Sequence, residues 1–259
     1  MSADVRTELR ADGALWLTFD RPAARNAMTF AMYDELERIA RRANDDPAVR
    51  ALVVTGAGGA FVAGTDISQF ADFRTAEQAY AYEERMDRVL GALEAVRKPT
   101  IAAISGATTG GGLAIAAACD LRVATAGATF GMPIARTLGN CLALANLVRV
   151  SSLIGVARTK ELIFTARIIT ADEARAAGLV SEVLPDDAGL QTRVAELVRM
   201  VTSHAPLTLW ATKEGLRRIR DRMLPEDGHD LVALCYTSED FHEGVRAFIE
   251  KRRPVWKGR

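Results

Sequence analysis

The chain has 259 residues, 49% of them hydrophobic, and its 33 Lys and Arg balance 33 Asp and Glu. That supports one sizeable core with room for a small appended unit, and zero net charge argues against general nucleic-acid binding, which needs a basic field. The three cysteines, Cys119, Cys141 and Cys235, are too widely spaced for a disulfide framework or a zinc knuckle.

The N-terminal stretch "MSADVRTELRADG" lacks the apolar core of a signal peptide, so a cytoplasmic protein is expected. "VRTELR" and "ALWLTFD" flank Ala11-Asp12-Gly13 and read as a hairpin. A helix is predicted over 29–44 from Thr29, and "RALVVTG" (50–56) reads as a buried strand. Thr75 to Gln78 forms a capping box for a helix reaching about Val96. "KPTIAAIS" is the next strand, entered through Pro99, and a short helix follows Gly110-Gly111-Gly112. "LRVAT" reads as a strand and 140–165 as helical. Thr170 to Glu173 is a second capping box, "GLVSEVL" a last strand, and the pattern from about 186 is helical, with breaks or starts at Pro206, Pro225 and Ser238. Strands alternating with helices imply an α/β core buried on both faces.

No charged side chain occurs from Thr100 to Cys119. The window has the length of a membrane span, but its four glycines, Ser105, Thr108 and Thr109 read better as strand, loop and helix, so no membrane partner is expected. The glycine run is not a phosphate loop, because Leu113 and Ala114 follow Gly112 where a lysine and a hydroxyl residue are required. His204, His229 and His242 lie far apart and read as surface or cap residues, so no metal is expected. A second glycine-rich stretch, "TGAGGAFVAGTDISQF" (55–70), also follows a strand. Two such loops side by side are either tight turns or a pair of N–H donors around one oxygen, an oxyanion hole.

The chain resembles the enoyl-CoA hydratase/isomerase family, the crotonase superfamily, along essentially its whole length. The resemblance runs through "DRPAARNAM", "AFVAGTDI", "IAAISGATTGGGLAIAAACDLRVA", "ARTKELIFTARIITADEARAAGLVSEVLP" and "FHEGVRAFIEKRRPVW". It implies an α/β fold, a crotonase-like spiral of ββα turns over 1–195, with a helical region at 196–259 used for assembly into a trimer or a dimer of trimers. It implies an acyl-CoA thioester as substrate, coenzyme A being part of that substrate and no separate cofactor being needed. The N–H groups of Thr65 and Gly111 would hold the thioester oxygen, Gly111 lacking a side chain so that substrate can come close. Ala63 and Ile67 would meet the adenine through their backbone, Phe248 and Lys251 would lie near the nucleotide, and Arg25 would meet the phosphates. Asp66 would fix the loop beside Thr65. The basic tail "KRRPVWKGR" then reads as a phosphate-binding end rather than a solvated one.

The family's two catalytic glutamates fall on Ala114 and Ile134, and no Asp or Glu occurs from Leu121 to Lys160. Ordinary crotonyl-CoA hydration is therefore not expected. Rival readings are decarboxylation, hydrolysis or isomerisation of a CoA thioester, or acyl-CoA binding without catalysis. Substitutes for the missing acids are Arg136, Thr137, Asn140 and Cys141 in the loop, and Glu83, Glu84 and Asp87 on the preceding helix. Cys141 reads more simply as a small buried residue, the helical carboxylates as a solvated face, and Asp120 as structural.

Overall fold

The computed structural model describes residues 4–222 and 228–259; the break expected at Pro225 lies outside the described residues. The strands are β1 (Val5–Leu9), β2 (Ala14–Phe19), β3 (Ala51–Gly56), β4 (Thr100–Ile104), β5 (Ala107–Thr109), β6 (Leu121–Thr125), β7 (Thr129–Gly131), β8 (Ile168–Thr170) and β9 (Glu182–Leu184). The helices are α1 (Phe30–Asp45), α2 (Ala76–Glu94), α3 (Gly111–Ala118), α4 (Ile134–Thr137), α5 (Leu144–Thr165), α6 (Ala171–Ala176), α7 (Asp187–Ser203), α8 (Pro206–Asp221), α9 (His229–Tyr236) and α10 (Glu239–Ile249).

A six-stranded sheet runs β1-β2-β3-β4-β6-β9, parallel except for the β1–β2 hairpin. Alternate residues along a strand face opposite sides. Here one set (Leu15, Leu17, Leu52, Val54, Ala102, Ile104) packs with α1, α2 and α3. The other set (Ala14, Trp16, Ala51, Val53, Ile101, Ala103) packs against Leu190, Val194 and Val198 of α7. Both faces are covered, which is why these strands read as unbroken apolar runs.

A second, three-stranded sheet has the order β5-β7-β8, with β5 and β7 parallel and β8 antiparallel to β7. Its strands have three residues each, too short to leave a period in the sequence. Two further differences from the sequence reading have local causes. The helix expected over 140–165 begins only at Leu144 as α5, residues 140–143 belonging to the loop after α4, and α5 itself breaks at Gly155, whose φ is 76°. The last strand keeps only Glu182–Leu184 of "GLVSEVL".

The expected caps are in place. Thr29 Oγ1 accepts from the Met32 N–H, and Thr75 with Gln78 and Thr170 with Glu173 make both bonds of a capping box. Pro206 opens α8, and Ser238 caps α10. Helix α8 has no buried residue, and its Leu207, Leu216 and Ile219 are 80%, 63% and 64% exposed. No helix among the described residues is long and apolar enough to cross a membrane.

Candidate active site

The segment 20–28 builds the first wall. A single tight turn, Pro22–Ala24, ends with Arg25 and Asn26 both at positive φ. That conformation aims the fully buried Asn26 inward. Its Oδ1 accepts from the Arg21 N–H at 2.8 Å, and its Nδ2 donates to the carbonyls of Ala57 (2.9 Å) and Ala60 (2.7 Å). Next along the chain, the Met28 N–H donates to Gly64 O, and Asp66 N–H to Met28 O. Successive backbone groups alternate in direction along an extended strand. Thr65, between those two bonds, therefore turns its own N–H away from Met28. The Asp66 carboxylate accepts from Ser68 and from Arg21 Nη1 at 2.7 Å. Burial opposes its ionisation, but those bonds prevail and hold its pKa below the ordinary value. Through these bonds Asp66 holds the loop beside Thr65.

The second wall is the start of α3. Gly110 N–H donates to Gly131 O, and Thr109 Oγ1 donates to Ala63 O at 2.9 Å, tying the two glycine loops together. The first N–H groups of a helix have no partner within it, and Gly111 is the first residue of α3. A side chain at Gly111 would bring its Cβ to 2.2 Å from Tyr33 Oη and 3.1 Å from Thr65 Oγ1. The missing side chain makes room for the protein's own Tyr33, which corrects the expectation that it makes room for substrate. At Gly112 a Cβ would meet Val62 O at 2.1 Å, so α3 sits hard against the first loop.

Between the walls lies a cavity of about 440 Å³. Arg25, Ala63, Thr65, Ile67, Gly111 and Phe248 all line it; Lys251 and Asp66 do not. The Ala63 N–H is already donated to Arg25 O, and its carbonyl already accepts from Thr109. Only that carbonyl's second lone pair is open to a ligand. The tail also departs from expectation. Arg252 pairs with Glu243 and Glu250, and Lys257 and Arg259 pair with Glu239. Much of its charge is thus neutralised within the chain, and among the described residues Lys251 and Arg253 form no ion pair.

Ala114 and Ile134 both line the cavity and both are buried. The cavity's carboxylate comes from elsewhere. Glu83 is the one carboxylate among the described residues lining the cavity, and it is only 7% exposed. This corrects the solvated-face reading of α2: Glu84 faces solvent, while Glu83 shares the inner face with Met86 and Leu90. Tyr236 Oη donates to Glu83 Oε1 at 2.6 Å, and Asn140 Nδ2 donates to Tyr236 Oη at 3.2 Å. Burial, helped by the Asp87 carboxylate, raises the Glu83 pKa to about 7 against the bonds from Tyr236 and the Ala143 N–H.

Tyr33, Tyr82 and Cys141 stay protonated. Thr65 Oγ1 is hydrogen-bonded to both Tyr33 Oη (2.8 Å) and Tyr82 Oη (3.1 Å). Burial pushes Tyr33 up to about 12 and Tyr82 well above its ordinary value. A bond to Cys235 together with burial pushes the Cys141 thiol up, so it is no nucleophile near neutrality. Asp120 is structural: it accepts from the Thr100 N–H and hydroxyl and from Lys213 Nζ. Among the described residues no group of three His, Cys, Asp or Glu could hold a metal ion. Sequence reasoning passed over Tyr33, Tyr82 and Tyr236, because scattered tyrosines carry no spacing signal.

Comparison with known proteins identifies the family and the fold. The enoyl-CoA hydratase/isomerase family model matches residues 10–259. The chain belongs to that family. It is 34% identical over 253 residues to the 2,3-dehydroadipyl-CoA hydratase of Escherichia coli K12, covering 96% of this chain and 97% of that one. It is 35% identical over 242 residues to the crotonyl-CoA hydratase of Syntrophomonas wolfei, covering 92% of each. A methylmalonyl-CoA decarboxylase solved in complex with 2-nitronate-propionyl-CoA superimposes over 100% of both chains, with a TM-score of 0.90 and 25% identity. The fold is the crotonase fold, a mixed α/β architecture.

The raised pKa of Glu83 has a stability consequence. Its ordinary value is 4.5 and its folded value about 7. A carboxyl with a raised folded pKa stabilises fully below the unfolded value, and that contribution is lost as pH rises through the folded value. The folded protein should therefore lose about 3 kcal/mol relative to Glu83→Gln between pH 4 and 8. Paired urea unfolding curves at the two pH values check this; a pH-independent difference would mean Glu83 titrates normally.

Proposed function

We propose that this protein transforms acyl-CoA thioesters by holding the thioester oxygen, and the enolate formed from it, between the N–H groups of Thr65 and Gly111. The observation that carries this reading is the meeting of those two residues at one cavity, Thr65 from its first wall and Gly111 from its second. One donor of this kind supplies about 3–4 kcal/mol of transition-state stabilisation. The N-terminal end of α3 adds a positive field at the same point. Arg25, Ile67 and Phe248, which line the cavity, would take the nucleotide portion together with the Ala63 carbonyl and Lys251. The three free thiols suit a reducing compartment such as the cytoplasm.

Acetyl-CoA and butyryl-CoA should bind, and more weakly as salt rises, because part of the affinity is charge on phosphate. Titration calorimetry checks this; absence of heat and of competition at millimolar ligand would remove the reading.

Paired carboxylates activating one water are the usual means of adding it across a double bond. Ala114 and Ile134 cannot do this, so the supported reaction is one that uses the two N–H donors without paired glutamates: isomerisation or decarboxylation through the enolate, or hydrolysis through a tetrahedral oxyanion. Crotonyl-CoA hydration should be slower than in a two-glutamate enzyme by at least the about 10²–10⁴-fold contribution of one acid–base group. Ala114→Glu with Ile134→Glu should restore part of it, and either change alone much less, as followed by loss of the conjugated thioester's ultraviolet absorbance. Rapid hydration by the unmodified protein would show that another pair of acids serves.

The bare apolar face of α8, with Leu234 of α9 70% exposed, is the kind of surface that subunits cover. A trimer or a dimer of trimers fits it. Light scattering at micromolar concentration should give three or six chains, and a monomer would contradict the assembly.

A further inference from the structure

We propose that Glu83 is the catalytic residue that carries the proton: its carboxylate takes the C2 proton of the bound thioester and returns it to the enolate. This rests on the acyl-CoA reading above and goes beyond it by naming the acid–base group.

Three observations converge on Glu83. It is the one carboxylate lining the cavity among the described residues, so no second acid shares the task. The cavity that holds it also holds Thr65 and Gly111, where the enolate oxygen would sit. Its orientation is fixed from outside its own helix. Tyr236 of α9 donates to Oε1, Asn140 donates to that hydroxyl, and the Ala143 N–H adds another bond. Asn140 Oδ1, also buried, has no partner among the described residues, so this side of the cavity keeps an open acceptor as well as an acid.

The step balances without any further reactant. The C2–H bond breaks, the proton passes to the Glu83 carboxylate, and the bond's electron pair moves into the thioester to place negative charge on its oxygen. Reversal at C2 regenerates the thioester. Delivery of the same proton two carbons away is a double-bond shift, and delivery to an enolate left by loss of carbon dioxide completes a decarboxylation. One carboxyl suffices for either, whereas water addition uses two.

The charged and titratable groups facing Glu83 all favour an uncharged neighbour or are neutral. Asp87 lies one turn on along α2, and Tyr82 precedes it. Tyr33 comes from α1, Tyr236 from α9, and Cys141 from the loop before α5. Arg149 is paired with Asp87 and Glu94, and Arg136 lines the same cavity without pairing with Glu83, so burial governs and the carboxyl is poised where a general base is most effective near neutral pH.

Hydrogen–deuterium exchange at C2 of butyryl-CoA in deuterated buffer, read by proton NMR, tests this without the natural substrate. The protein as it stands should catalyse exchange at a rate that rises with pH through a midpoint near 7. Glu83→Gln should lower it about 10²–10⁴-fold while butyryl-CoA still binds. Tyr236 is a positioning residue. Tyr236→Phe should keep exchange but move its midpoint upward, because a hydrogen bond favouring the carboxylate is gone. Binding without exchange, exchange unchanged in Glu83→Gln, or a midpoint unmoved by Tyr236→Phe would each overturn the assignment and leave the acyl-CoA reading standing. Failure of butyryl-CoA to bind would instead overturn both.

Discussion

Thr55 and Ala103 face each other across β3 and β4, joined by the parallel ladder and by a bond from Thr55 Oγ1 to the Ala103 carbonyl at 2.9 Å. The register of this pair decides where the chain can do chemistry. Both strands run the same way, so both loops leave at the same end, where ligands of open parallel sheets usually sit. The loops then reach each other directly, through Thr109 on Ala63 and through the bridge between Val62 and Thr108. A slip of one residue would turn the two apolar sets of each strand to the wrong faces. It would also separate Thr65 from Gly111. The core's demand for burial on both faces therefore fixes the geometry of the site.

That burial makes the cavity hostile to charge, and each ionisable group in it has been dealt with differently. Tyr33 and Tyr82 keep their protons and share the Thr65 hydroxyl, which locks the Thr65 side chain without adding charge. Asp66 stays ionised because Arg21 and the Ser68 bonds compensate it, and it lies outside the cavity. Glu83 has no cation, and its carboxyl is left near its midpoint at neutral pH. A structural role would be filled as well by glutamine, with none of this cost in alkaline solution. A group retained where its ionisation is unfavourable points to use of the proton.

Much of this was legible in the sequence, for physical reasons. Gly112 is packed against a backbone carbonyl, Gly111 against the Tyr33 hydroxyl, and Gly64 and Gly110 sit at positive φ, so each resists substitution and "TGGG" and "AGTD" stand out. Capping boxes are local, and both were read to the residue. The three-residue strands were not legible, since three positions carry no period. Glu83 was legible only as one of three helical carboxylates. Which of Glu83, Glu84 and Asp87 turns inward depends on the angle at which α2 packs on α1 and α9, and that angle is set by side chains distant in the chain. The pairing of the basic tail was hidden in the same way: Glu239 and Glu243 lie a turn apart on α10, and the tail folds back along them.

The folding back of that tail links the C-terminal helices to the site. Trp256 packs by Gly139, where a Cβ would come within 3.3 Å of its ring, and Phe248 forms part of the cavity lining. Gly244 of α10 lies against the Leu138 backbone, only two residues before Asn140. Tyr236, on α9, bridges Asn140 and Glu83. The loop after α4 is thus held from the C-terminal side, and so is the orientation of Glu83. A change in how α9 and α10 pack would move Tyr236 and Phe248 together, altering the acid and the cavity rim at once. The helical end of the chain is therefore part of the site, although most of the backbone that forms the cavity precedes it by more than a hundred residues.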